Sequence, residues 1–214
     1  MVRADAARNR AKLVAAAREV FAERGFGATL DDIARHAGVG TGTAYRHFPN
    51  KQAIAAEVLA DATSAIAQDA REALAVEDPW DGLVLFFERN AVRQVADRGL
   101  YETLTGQGND EEQARIWPQV LEAVTELFER ARAAGVVRPD AVLQDIAAIF
   151  ALLGPAFEMS RSTSADVWRR YLALMLDGLR PNGQAPFPVP PPPLDQLDVI
   201  LSAGKHRQKP TRSG

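Results

Sequence analysis

No cysteine occurs among the 214 residues of this chain. A disulfide framework, a thiolate metal site and a cysteine nucleophile are therefore excluded. Histidine is almost as scarce: only His36, His47 and His206 are present, with no partner residues at metal-ligand spacing. There is no glycine-rich phosphate loop after a strand and no nucleophile elbow, so the common sequence signatures of an enzyme are missing. Asp31-Asp32 and Glu111-Glu112 are adjacent acids, but each pair sits at an expected helix start, where carboxylates offset the helix dipole. No stretch alternates as a strand does, no unit repeats, and no uninterrupted apolar run approaches the roughly 20 residues that cross a bilayer. Residues 1–12 are charged and alanine-rich, without an apolar signal core. The expectation is a cytoplasmic protein with no metal, cofactor or membrane partner.

What the chain does contain is apolar residues at helical spacing. They make up 47% of the sequence, so the expected fold class is all-α, with ample length for a core. The net charge of −3 hides an asymmetry: residues 1–51 hold nine Lys or Arg against five acids, leaving −7 for the remainder. A basic N-terminal module on an acidic body suits a polyanion partner, although ordinary surface charge explains a balance of +4 equally well.

The most informative stretch runs from Thr29 to Lys51. Thr29 and Asp32 form a capping box, so a helix opens at Leu30, and Ile33, Ala34 and Ala37 give it one apolar stripe. Gly38 ends that helix, Val39 buries a side chain in the turn, and a second helix spans 41–48 before Pro49 forbids its continuation. Asn50 caps a third. The second helix is a poor helix by propensity, with Gly42, two threonines and Tyr45. Around an inner face of Val39, Ala44 and Phe48 it exposes Thr41, Thr43, Tyr45, Arg46 and His47, all donors able to reach phosphates or base edges. Lys51 opposes the dipole at a helix start, which makes sense where an anion is expected.

This stretch resembles the TetR family of transcriptional regulators. The resemblance lies in Ala17-x-x-x-Phe21-Ala22-x-x-Gly25, in Thr29-x-x-x-Ile33-Ala34-x-x-Ala37-Gly38-Val39, and in Gly42-Thr43-x-Tyr45-Arg46-His47-Phe48-Pro49-x-Lys51. One departure is Gly40, where the family often carries a serine cap; glycine there costs only a few tenths of a kcal/mol. The resemblance implies an N-terminal helix-turn-helix head (1–51), a helical ligand-binding and dimerisation body (52–180), and double-stranded operator DNA as partner. It assigns Thr41, Gly42 and Arg46 to groove reading and Thr29, Thr43, Tyr45, His47 and Lys51 to phosphate contacts.

Around this stretch, residues 1–9 read as a mobile arm, and Arg3, Arg8 and Arg10 could meet DNA. A first helix follows over 9–24, with Phe21 and Phe26 expected against Ile33 and Phe48. A long helix continues from 50 to about 75, joining head to body. Asp78-Pro79-Trp80-Asp81 opens a helix to 98, residues 101–110 form a loop, and Pro118 either kinks one helix or begins another. Gly135 is a stop, Asp140 the next cap, and helices span 142–160 and 164–179. Residues 181–214 are a Pro-rich linker and basic tail, with a short amphipathic turn from Leu194 to Leu201.

The body is rich in aromatic and large apolar side chains. Trp80, Phe86, Phe87, Tyr101, Leu104, Trp117, Phe128, Phe150, Phe157 and Met159 are core by default; the family resemblance makes some of them walls of a small-molecule effector pocket. Arg93, Gln94 and Glu158 are polar candidates equally well explained as surface. The last two helices carry more apolar residues than one stripe needs, with Phe150, Leu172 and Met175 prominent, as expected of a homodimer interface. Three readings stand at this level: a ligand-released dimeric repressor, a regulator of the same fold without a ligand, and an α-helical enzyme or scaffold.

Overall fold

The computed structural model describes residues 2–96, 110–181, 183, 185–193 and 196. Among them are eight α-helices and no strand: α1 (Val2–Arg24), α2 (Leu30–His36), α3 (Thr41–His47), α4 (Lys51–Leu74), α5 (Pro79–Ala96), α6 (Asp110–Ala133), α7 (Leu143–Ser162) and α8 (Val167–Asp177). The all-α expectation is met. Two compact units share α4, α5 and α6: residues 1–70 with 92–123, and residues 71–91 with 124–214.

In the first unit, the head closes around one apolar cluster. Leu13, Ala17, Val20 and Phe21 of α1 meet Ile33 and Ala34 of α2, Ala44 of α3, Phe48, and Ile54, Val58 and Leu59 of α4. The Phe26 side chain lies outside the described residues. α1 begins at Val2 rather than near residue 9, so the expected arm is helix. Alanine and arginine dominate its first turns with no Gly or Pro to stop them, and Arg8 pairs with Asp5 one turn away at 3.5 Å.

Local chemistry sets the helix ends of the motif. Gly38 has φ +64°, the left-handed conformation that a side chain resists, and the Val39 N–H then bonds back to the Ala34 carbonyl at 3.0 Å. Gly40 caps α3 with extended backbone and no side-chain bond. Asn50 Oδ1 accepts from the Ala53 N–H at 2.8 Å and so caps α4.

In the second unit, Asp78 Oδ1 accepts from the N–H groups of Trp80 and Asp81 at 2.7 and 3.0 Å, starting α5 as the sequence predicts. A Cβ on Gly82 would stand 2.5 Å from the Ala73 carbonyl oxygen, so α5 approaches the end of α4 as only glycine permits. Asp140 does not cap α7. Val142 does, with its N–H bonded to Asp145 Oδ2 at 2.9 Å, because the Asp140 carboxylate is occupied by Arg138. Burial pushes the Asp145 carboxyl up, a shift the Val142 N–H opposes. Ser160 joins α7 to α8: it accepts from the Trp168 N–H at 2.8 Å while donating to the Ala156 carbonyl.

Two sequence alternatives resolve. Pro118 lies inside one continuous α6, which starts at Asp110 rather than after a short turn. α7 is long and apolar enough, by length and composition, to cross a membrane, although Asp145 and Glu158 interrupt its apolar run. It passes because both its faces are apolar: Ile146, Ile149, Phe150, Leu153 and Phe157 are buried, while Leu152 and Met159 are exposed. Residues 185–193, expected as a linker, are tied to the α6–α7 corner through Arg138, Asp140 and Gln144. The 101–109 loop, the Leu194–Leu201 turn apart from Gln196, and the basic tail lie outside the described residues.

Candidate nucleic-acid interface

The interface is built on α3, which offers one face inward and the rest outward. Ala44 and Phe48 are buried, the latter to 1% exposure, and they anchor the helix on the head core. With 100° per residue, Gly42 and Arg46 then lie on the opposite side, flanked by Thr43 and by Thr41 and Tyr45. Thr41, Gly42, Tyr45 and Arg46 are exposed, Tyr45 to 50%, whereas Thr43, His47 and Lys51 are half-buried. A Cβ on Gly42 would meet nothing within 4 Å. No packing among the described residues requires glycine there, although an interior glycine costs about 1 kcal/mol against alanine. What it leaves is a bare helix surface that another molecule's backbone can approach closely.

Thr29 is bound up in its own cap. Its hydroxyl accepts from the Asp32 N–H at 3.1 Å and donates to Asp32 Oδ2 at 2.6 Å, and its N–H reaches the same oxygen at 3.0 Å. Both Thr29 donors are therefore used, and contact with a phosphate would require one to be released. Those two bonds, with Arg35 and Arg24 adding a smaller attraction, hold the Asp32 carboxyl below the usual carboxylate range. His36 is exposed as expected, with Nε2 2.7 Å from Glu19 Oε2.

Arg10, named with Arg3 and Arg8 among the arginines that could meet DNA, is held within the head. The side chain stacks 4.4 Å over the Phe48 ring, pairs with Glu57 and donates to the His47 carbonyl at 3.3 Å. Nothing in its sequence context signals this, because all three partners lie far along the chain.

The pocket candidates sort differently. Phe86, Phe87 and Phe150 form a mutual cluster, with Phe87 and Phe150 stacked at 4.9 Å and Phe86 edge-on to both. Phe128 is buried, Phe157 meets Trp168 edge-on, and Trp80 lies under Arg180 at 4.1 Å. Tyr101, Leu104 and the Trp117 side chain lie outside the described residues. The sequence reading missed Asn90, which is 4% exposed: its Nδ2 donates to the Phe86 carbonyl at 2.9 Å, while its Oδ1 has no partner among the described residues. The signal was available, since Asn90 is an amide set one turn from Phe86 on an apolar arc. Of the polar candidates, Gln94 is buried, Arg93 pairs with buried Asp69 at 2.7 Å, and Glu158 is exposed beside Arg161.

A closed three-helix head whose α3 presents small residues and donors outward defines a helix-turn-helix DNA-binding module. Comparison with known proteins gives the family. The family model for bacterial regulatory proteins, tetR family, matches residues 13–58, and that for the C-terminal domain of SbtR-like transcriptional regulators matches 78–181. The crystal structure of a TetR transcription regulatory protein from Mycobacterium vanbaalenii is 37% identical at TM-score 0.57, covering 84% of this chain and 99% of that one. A TetR regulator from Streptomyces coelicolor is 33% identical at TM-score 0.61, covering 81% and 99%. The Pseudomonas putida HTH-type regulator SrpR is 37% identical over 109 residues, 50% of this chain and about half (51%) of SrpR's own length. This chain belongs to the TetR family of DNA-binding transcriptional regulators.

Proposed function

We propose that the protein is a cytoplasmic, non-enzymatic repressor that binds a palindromic operator as a homodimer and is released by a small apolar or aromatic effector. The observation that carries the DNA half is the outward face of α3, with Gly42 bare and Arg46 beside it. Thr41, Gly42 and Arg46 read the groove, while Thr43, Tyr45, His47 and Lys51 hold phosphate, with Thr29 joining them once its cap bond yields. One such helix reads few base pairs, so two related by a two-fold axis are needed for an operator.

The dimer reading is supported by apolar side chains left outside on α7 and α8: Leu152 at 60% exposure, Met159 at 43% and Leu174 at 58%. Phe150 and Leu172, prominent in the sequence, are buried in the subunit's own core, so the interface falls to the other set. For the effector, the proposed walls are Trp80, Phe86, Phe87, Phe128, Phe150 and Phe157, with Asn90 as a polar group of the same unit. An effector that favours the released state need shift the balance by only about 1–3 kcal/mol.

Three measurements on one preparation test this. Selection from random double-stranded DNA should enrich a palindrome. Sedimentation should give twice the chain mass, and a monomer at micromolar concentration sinks the dimer. A screen of aromatic compounds should find binders that lower affinity for the selected duplex; binders that leave it unchanged overturn the release mechanism.

A further inference from the structure

The Arg10 guanidinium engages three parts of the head together. From α1 it donates to the His47 carbonyl, the last of α3, stacks on Phe48 at 4.4 Å, and pairs with Glu57 on α4. Each contact has a physical purpose. The final carbonyls of a helix lack partners within it, and a cation there also faces the negative end of the dipole. Phe48 is the residue that seats α3 on the core, and a cation over a ring face is held by the ring's quadrupole. The Glu57 pair is half-exposed and, like other surface pairs, contributes little alone. It turns the planar fork so that the other two contacts form together, which a lysine cannot reproduce.

We propose that Arg10 is a positioning residue for DNA reading: it fixes the C-terminal end of α3 against α1 and α4 and does not itself touch DNA. This rests on α3 being the reading helix. Position matters because hydrogen bonds to base edges weaken steeply with distance and angle. The competing assignment is that Arg10 is a basic side chain binding phosphate.

The test uses full-length protein and the tightest duplex that the wild type selects from random DNA, with dissociation constants measured across a salt series and melting followed by circular dichroism. Arg10→Ala should weaken binding about 5–30-fold with the salt slope unchanged. Glu57→Gln should weaken it less, and the two losses should not add. Arg10→Lys, which keeps the charge, should recover little. A slope flattened by about 0.9 with recovery in Arg10→Lys makes Arg10 a phosphate contact and overturns the proposal, as does unchanged affinity in Arg10→Ala. If Arg10→Ala does not melt cooperatively, Arg10→Lys and Glu57→Gln decide the same question. Arg46→Ala separates the two levels. If it leaves affinity and base preference at wild-type values, the reading-helix assignment falls and this proposal with it; if it loses both while Arg10→Ala behaves as wild type, this proposal falls alone.

Discussion

The guanidinium of Arg138 lies 3.6 Å over the ring of Phe187, joining the α6–α7 corner to the proline-rich segment that follows α8. Arg138 is 6% exposed: Nε and Nη2 reach the Asp140 carboxylate at 2.6 and 3.0 Å, and Nη2 also donates to the Ala185 carbonyl. The Phe187 N–H completes the cycle, donating to Asp140 at 2.7 Å. Arg138 first, and then that N–H, hold the Asp140 carboxyl below the usual carboxylate range.

Phe187→Leu keeps an apolar side chain and removes the cation's ring partner. We expect a loss of about 0.5–1 kcal/mol in urea-unfolding stability, with DNA affinity unchanged. A variant as stable as the wild type would show that the segment rests on the corner without contributing to it.

The helix-turn-helix was legible because its signals are local. A cap three residues from its partner, a glycine at a turn and a proline after a helix each act over one turn of chain, so α2, α3 and the start of α4 fall where the pattern placed them. Donors on α3 were legible for the same reason. Partners far apart in sequence were not. Nothing local links Arg138 to Phe187, which lies in the segment expected as a linker, and Phe48 and Glu57 give Arg10 no sequence signature of its contacts. Periodicity marked Phe150 and Leu172 as surplus, but only packing separates them from Leu152 and Leu174, which lie two positions away on the same helices and point outward.

The Thr29–Asp32 cap makes a pH prediction whose sign follows from its bonds. The Asp32 carboxyl is held below its unfolded value of about 3.9, so it stabilises the head above that pH, and this contribution is lost as pH falls through the lower folded value. Thr29→Val removes the hydroxyl. The wild type should be more stable by a constant amount above about pH 5, and the gap should narrow as pH falls below about 4, leaving the share of the hydroxyl's bond from the Asp32 N–H. A gap that does not change with pH would mean the hydroxyl acts independently of the carboxylate charge.

Gly42→Ala should separate folding from function. Alanine is the better helix former and finds open space there, so the head should gain about 0.5–1 kcal/mol in denaturant unfolding. DNA affinity should fall, because the new methyl group stands on the face proposed to meet the groove. If stability and affinity both rise, the bare surface is not where DNA approaches.

The central claim is that the outward face of α3 reads bases, and the measurement closest to it is the base-preference profile of Arg46→Ala set beside that of the wild type. Both should be selected from the same random duplex library at the same salt, after each protein is shown to be folded. The account predicts that preference collapses at one position in each half-site, with about 1–3 kcal/mol of discrimination lost there, while affinity for unrelated DNA stays as it was. A wild-type profile with uniformly weaker binding to every sequence, and a salt slope flatter by about 0.9, would make Arg46 a phosphate contact and contradict the assignment of base reading to this face.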